Sequence, residues 1–323
     1  MSNDHSENTN PSGLILPFQR TAFEKLCAIA RACFGLQRSS IPIKPRTNTL
    51  IIGPSGSGKS HVARTIGLEL GLPTLILSIN EWIPLGCSNR GSIVTWRLIQ
   101  DFLYEHREKT GVIIFVDEIC KLGSANWDKY ILSESLKCLD LQIPTGLTDN
   151  DGDAISAYQL EEAQKVLSNR TLIVGGGAFQ WIWEERGKAK PGFKAEEDYD
   201  HLPDLNVLSS ALPRELTNRF RSEIIIIPPL QESDYQQMLI TVAPSIPKYL
   251  RETFLRMGKE MIPSAFRCRQ GCRFLEELLL DVVIEERKIM TSLTLNVQVG
   301  GGASSPAPLP PDPPTPARGE PDC

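Results

Sequence analysis

Thr47-Asn-Thr-Leu-Ile-Ile-Gly-Pro-Ser-Gly-Ser-Gly-Lys-Ser60 decides how this chain folds. Its first half is a short apolar run that reads as a buried parallel strand, and its second half is a Gly-x4-Gly-Lys-Ser loop. Glycines at 53, 56 and 58 let the backbone turn tightly enough to aim several N–H groups at one set of anionic oxygens. From Lys59 to Gly71 the spacing is helical, so a helix N-terminus adds its positive dipole end. Strand, loop and helix together make a phosphate cradle. Its candidate residues are Gly53, Pro54, Ser55, Gly56, Ser57, Gly58, Lys59, Ser60 and His61. Lys59 supplies a mobile charge for β- and γ-phosphates, and the Ser60 hydroxyl completes the shell of a Mg2+ ion.

A second motif completes the first. The apolar strand Gly111–Val116 ends in Asp117-Glu118. One carboxylate at a strand mouth, Asp117, can hold the metal while its neighbour, Glu118, polarises a water aimed at the γ-phosphate. A Gly/Ser-rich turn that matched by chance would need a second coincidence to acquire this acidic pair. ATP with Mg2+ is therefore the expected ligand, ATP hydrolysis the expected reaction, and Lys59, Asp117 and Glu118 its core residues.

Around these motifs, strands alternate with helices in the way that builds a parallel sheet. A helix is expected over Pro17–Leu36, then strands at Thr47–Ile52 and Pro73–Ser78, a helix within Gly91–Glu108 and the strand before Asp117. Helices follow near Ser133–Leu141 and Gln159–Leu167, then a strand at Thr171–Val174 ending in three glycines. A helix-like stretch Val207–Phe220 precedes a β-branched strand at Glu223–Ile227, and Pro228-Pro229 ends it. Beyond lie helical patterns at Glu232–Val242, Lys248–Met257 and Gly271–Lys288. The expected architecture is α/β, a P-loop three-layer αβα parallel sheet followed by a small all-helical lid. The corresponding divisions are a polar leader at 1–16, a nucleotide-binding domain at 17–229, the lid at 230–290 and a Pro/Gly-rich tail at 291–323.

With 323 residues the chain is long enough for that pair of domains. Eight scattered cysteines without paired spacing, and no secretory signal, read as reduced thiols in a cytoplasmic protein. Cys268 and Cys272 lack the further ligands of a zinc site, and the acidic loop Thr148–Asp153 lacks the register of a calcium loop. A net charge of -5 argues against a surface built to coat nucleic acid, although a local channel can still be basic. The longest apolar runs fall far short of the ~20 residues that cross a bilayer.

Gly53-Pro-Ser-Gly-Ser-Gly-Lys-Ser60, Phe115-Val-Asp-Glu-Ile119, Gly175-Gly-Gly-Ala-Phe179 and Gly271-Cys-Arg273 occur in the order found in AAA+ ATPases. Within that superfamily the chain most resembles the Clp/HslU unfoldase branch, over about residues 45–288. The resemblance implies a homo-oligomeric ring, usually of six subunits, with ATP at subunit interfaces. It assigns Gly176–Phe179 to the loop that senses the γ-phosphate, Arg219 to the arginine finger with Arg214 and Arg221 in reserve, and Arg273 to the lid arginine that contacts nucleotide in its own subunit. One departure stands out. The aromatic-hydrophobic-Gly pore triplet of Clp-type unfoldases is missing from Asn80–Gly91, where Trp82 reads first as a packed residue and otherwise as a substitute grip, and Arg90 and Arg97 either face a nucleic-acid strand or form a solvated helix face.

Two functions are thus in play. One is an ATP-driven ring that remodels protein or macromolecular complexes, its partner supplying target selection. The alternative is a nucleotide-gated, DNA-associated switch of transposition, replication or defence type. A third reading, a P-loop kept only for structure, conflicts with the presence of Lys59, Ser60, Asp117 and Glu118 together.

Overall fold

The structure is a computed structural model that describes residues 14–36, 47–85, 93–123, 129–145, 147, 155–186, 203, 207–208 and 212–300. Its centre is a sheet of β1 (Thr49–Ile52), β2 (Thr74–Ser78), β3 (Val112–Asp117), β4 (Thr171–Gly177) and β5 (Ile225–Ile226), in the order β2-β3-β4-β1-β5. All four pairings are parallel. α1 (Arg20–Leu36) precedes the sheet; parallel strands need crossovers, and here these carry the helices α2 (Lys59–Leu70), α3 (Thr95–Glu105), α4 (Lys129–Leu139), α5 (Ala157–Arg170) and α6 (Gln180–Arg186).

The strands are apolar because both faces are covered, and alternate residues feed opposite layers. Ile51, Ile113, Phe115, Leu172 and Val174 join Leu26 and Ala30 of α1 and Val62 and Ile66 of α2 on one face. Leu50, Ile52, Ile114, Val116 and Ile173 pack on the other with Trp96 and Ile99 of α3 and Val166 and Leu167 of α5. Each such fully buried side chain contributes on the order of 1.5–3 kcal/mol, so the two layers fix the sheet and leave the strand ends free to carry chemistry.

After β5 come a short helix-forming region and three longer helices, α8 (Glu232–Val242), α9 (Lys248–Arg267) and α10 (Arg273–Gly300); the short α7 (Arg214–Thr217) precedes β5. A third apolar cluster joins Met238 and Leu239 of α8, Phe254 and Ile262 of α9 and Phe274 and Leu278 of α10. Leu16, from the stretch read as a polar leader, is buried in this same cluster, 5% exposed. Among the described residues no helix is long and apolar enough to cross a membrane.

Several elements depart from their expected bounds for local reasons. The fourth strand runs through its glycines to Gly177, because Gly175, Gly176 and Gly177 pair with Leu50, Ile51 and Ile52. Glycine is required there by space: a Cβ on Gly176 would stand 2.4 Å from the Phe115 ring. α9 extends to Arg267 with Pro263 inside it, ten residues beyond the expected Met257, since an apolar stripe of Phe254, Ile262 and Ala265 continues across the proline. Within the described part of the Val207–Phe220 stretch, Val207 and Leu208 are helical and a short helix spans Arg214–Thr217, with Pro213 at its start. β5 shrinks to two residues at the sheet edge. The acidic loop 148–153, Arg90 and the tail beyond Gly300 lie outside the described residues.

Candidate functional site

β1 delivers the chain to the glycine-rich loop, and α2 leaves it. Gly56 and Gly58 take left-handed backbone angles, φ 77° and 81°, which favour glycine. Gly58 is the N-cap of α2. The first amides of that helix have no intrahelical acceptor and face the cavity mouth. This cavity, of about 770 Å³, is lined by Ser55, Gly56, Gly58, Lys59, Ser60 and His61 from the loop and its helix. Its size matches ligand pockets in general. Asp117 and Glu118 line it from β3, and Arg273 from the first position of α10. Gly53, Pro54 and Ser57 do not; Ser57 is buried behind the loop.

The charged groups are arranged for exchange with a ligand. Lys59 is 7% exposed, and its ammonium donates to the carbonyls of Gly53, 2.9 Å, and Pro54, 3.1 Å. Burial depresses its proton affinity, while the Asp117 charge acts the other way. Ser60 Oγ donates to Asp117 Oδ2 at 2.7 Å, and Asp117 Oδ1 accepts from the Glu118 amide at 2.8 Å. The two groups expected to hold a metal therefore touch each other directly. Ser57 Oγ, behind the loop, is buried without a partner. The donor set, one hydroxyl and carboxylate oxygens, suits Mg2+.

Glu118 sits at φ 62°, a sparsely populated angle for a residue with a Cβ and a form of strain found at active sites. Both its oxygens are engaged: Ser78 Oγ donates to Oε2 at 2.8 Å, and Lys121 Nζ to Oε1 at 3.1 Å. Burial alone would raise its carboxyl, but these bonds and the Lys121 charge outweigh that and hold it below the ordinary carboxylate value. Ser78 and Lys121 were not singled out in the sequence. The signal for Ser78 is register, since it ends β2 directly opposite Asp117; for Lys121 it is the one-turn spacing from Glu118.

The remaining expected residues fall in different places. Ala178, at the end of β4, lines the cavity, whereas Phe179 is buried. Arg219 does not line the chain's own cavity and forms a two-pronged ion pair with Asp140, Nε to Oδ1 and Nη2 to Oδ2 both at 2.7 Å. Its Nη1 donates to the Glu215 carbonyl at 2.6 Å. Arg97 pairs with Asp101 along α3. The segment before α1 also reaches the site: Leu14 and Leu16 line the cavity, and the Leu14 carbonyl meets His61 Nε2 at 2.7 Å.

Trp82 is not an exposed grip. It is 4% exposed and donates from Nε1 to Glu134 Oε2 at 2.9 Å, while Glu134 Oε1 accepts from the Leu85 amide at 2.7 Å. Its ring packs in the core and its polar edge ties the chain after β2 to α4, in agreement with the packed reading and against the substitute grip. Trp82→Ala is expected to cost about 3–5 kcal/mol of stability, read as a lower urea midpoint; an unchanged midpoint would contradict this packing role.

A parallel sheet in which the interior strand β1 opens into a Gly-x4-Gly-Lys-Ser loop, and β3, separated from it by β4, leads into Asp117-Glu118, defines a P-loop nucleoside triphosphatase. Residues 49–138 match the family described as ATPase family associated with various cellular activities (AAA). The ATP-dependent Clp protease ATP-binding subunit ClpX of Treponema denticola is 25% identical over 296 residues, covering 80% of this chain and 71% of that protein. The subunit of the same name from Azotobacter vinelandii is 26% identical over 238 residues, 67% of this chain and 54% of that protein. A ClpX 2 subunit of Wolinella succinogenes is 29% identical over 165 residues, 46% of this chain and 39% of that protein. Residues 49–138 thus match an AAA-type ATPase domain, and the chain is similar to Clp ATP-binding subunits.

Proposed function

We propose that this chain hydrolyses Mg2+-ATP in the cavity between its glycine-rich loop and β3, as one subunit of a homo-oligomeric, six-membered ring that remodels protein or macromolecular complexes. The observation that carries the chemistry is the convergence of Lys59, Ser60, Asp117 and Glu118 on one cavity, with Ser60 and Asp117 in contact. Lys59 would leave its loop carbonyls for the β- and γ-phosphate oxygens, and Ser60 and Asp117 are the residues that would hold the metal. Bound Mg2+ supplies Lewis-acid neutralisation of those oxygens. Glu118, released from Ser78 and Lys121, orients the attacking water and accepts its proton. Arg273 meets the nucleotide from the lid.

The ring follows from the same reading. Arg219 does not line its own subunit's cavity and is bound to Asp140 and the Glu215 carbonyl, so a finger role calls for a neighbour's ATP, which would tie hydrolysis to assembly. The division at about residue 229 between nucleotide-binding domain and lid, with the lid reaching about residue 290, belongs to this proposal and is supported by the separate apolar cluster of α8, α9 and α10. Partner proteins would supply the substrate. The DNA-associated alternative draws no support from Arg97, whose guanidinium is paired with Asp101.

The binding step is tested with Lys59→Ala. Removing a charged donor to phosphate costs about 3 kcal/mol, roughly a hundredfold in affinity. Titration with a fluorescent ATP analogue should show that loss while the melting temperature stays near the parental value. Equal affinity in the variant would remove Lys59 from the site.

A further inference from the structure

Where the chain enters α10 it makes a tight turn, with Arg269 at φ 53° and Gly271 at φ 65°. The Cys272 amide does not turn back into the lid. It donates to the Gly56 carbonyl at 2.8 Å, so the lid is hydrogen-bonded to the phosphate loop itself. The two backbones approach so closely that a Cβ on Gly271 would stand 2.6 Å from the Gly56 oxygen, and one on Gly56 2.6 Å from the Gln270 oxygen. Gln19 braces the same junction, donating from Nε2 to the Ser57 carbonyl at 2.9 Å and lying 3.7 Å from Cys272 Sγ.

The neighbouring Gly271 amide has a different acceptor, the hydroxyl of Tyr235 on α8, at 3.0 Å. Tyr235 is 1% exposed, and its ring is held edge-on by Phe274 at 5.5 Å and Phe266 at 6.2 Å between centroids. Burial raises its hydroxyl above the ordinary tyrosine value, so it stays neutral. The same oxygen lies 3.5 Å from the Ala265 carbonyl, at the limit of a hydrogen bond. Phenylalanine would fill this apolar site equally well, so the buried hydroxyl answers to the Gly271 amide. Two residues further on, Arg273 lines the nucleotide cavity.

We propose that Tyr235 is a positioning residue of the nucleotide site: by holding the Gly271 amide, its hydroxyl fixes the turn that docks the lid on the phosphate loop at Gly56 and sets Arg273 in the cavity. The inference rests on the reading of that cavity as the ATP site. Without the hydroxyl, the buried Gly271 amide loses its acceptor and the turn can satisfy it only by shifting, which moves both the Gly56 contact and Arg273.

The experiment compares the full chain with Tyr235→Phe, Arg273→Ala and the double variant. It measures release of a fluorescent ADP by stopped flow, kcat and KM for ATP, and the nucleotide-free melting temperature. Tyr235→Phe should release ADP about tenfold faster and raise KM by a similar factor, with kcat changed by less than about twofold. In the Arg273→Ala background the same substitution should have a smaller effect, because the part that acts through Arg273 is already gone. Parental ADP release and KM in Tyr235→Phe, whatever its melting temperature, would overturn the proposal, as would effects of the two substitutions that simply multiply. Failure of the folded parental chain to bind ADP is a separate result that overturns both this role and the ATP-site reading beneath it.

Discussion

Glu118→Gln should leave a protein that binds ATP as tightly as the parental chain and hydrolyses it about 10²–10⁴-fold more slowly. The amide keeps the size of the carboxylate and can still accept from Ser78, so the cavity retains its shape. What it loses is the capacity to accept a proton from water, together with the charge that pairs with Lys121. Asp117 and Ser60 are untouched, so metal and nucleotide binding persist. Single-turnover hydrolysis of radiolabelled ATP separates the two effects. A variant that turns over at the parental rate would show that another group activates the water, and the strained backbone at Glu118 would then need a different explanation. With ATP trapped, electron microscopy of the same variant also reports whether the nucleotide-bound chain is a ring, a filament or a single subunit.

Arg219→Ala is expected to lower kcat by roughly a thousandfold, the lower end of what an arginine finger contributes, with little change in affinity at an isolated site. The geometry makes this a statement about assembly. In its own subunit Arg219 is bound to Asp140 and the Glu215 carbonyl and does not line the phosphate cavity. Mixing the two inactive proteins, Arg219→Ala and Glu118→Gln, is therefore the informative measurement. In a random assembly about a quarter of the interfaces pair an intact Glu118 with an intact Arg219 from the neighbour, and that fraction of the parental rate should return. No recovery on mixing, with both proteins assembled, would place the finger elsewhere; Arg221, close by in sequence and paired with Glu223, and Arg214 would then be the residues to replace.

The residues that sequence spacing exposed are those whose chemistry is local. Gly53 to Ser60 and Asp117-Glu118 are contiguous, and the strand, loop and helix around them are dictated by short apolar runs and glycine. The sheet, too, was legible from the alternation of elements, although its order is not, because order depends on which crossovers pack together rather than on any one segment. Three things stayed hidden for physical reasons. Tryptophan on an apolar stretch looks the same in sequence whether packed or exposed, and only the buried Glu134 carboxylate, 52 residues away, decides it for Trp82. A glycine run reads as a strand terminator, yet between Phe115 and Phe220 it is what lets β4 continue. Finally, Leu14, Leu16 and Gln19 reach the phosphate loop through backbone and amide contacts that no periodicity announces. The lid residue Tyr235 belongs to the same category.

Isothermal titration calorimetry of the folded parental chain with ATP in the presence of Mg2+, repeated with Lys59→Ala, bears most directly on the cavity assigned to the nucleotide. Saturable binding by the parental chain that the lysine substitution weakens about a hundredfold is the predicted result. No heat of binding from parental protein shown to be folded would contradict it.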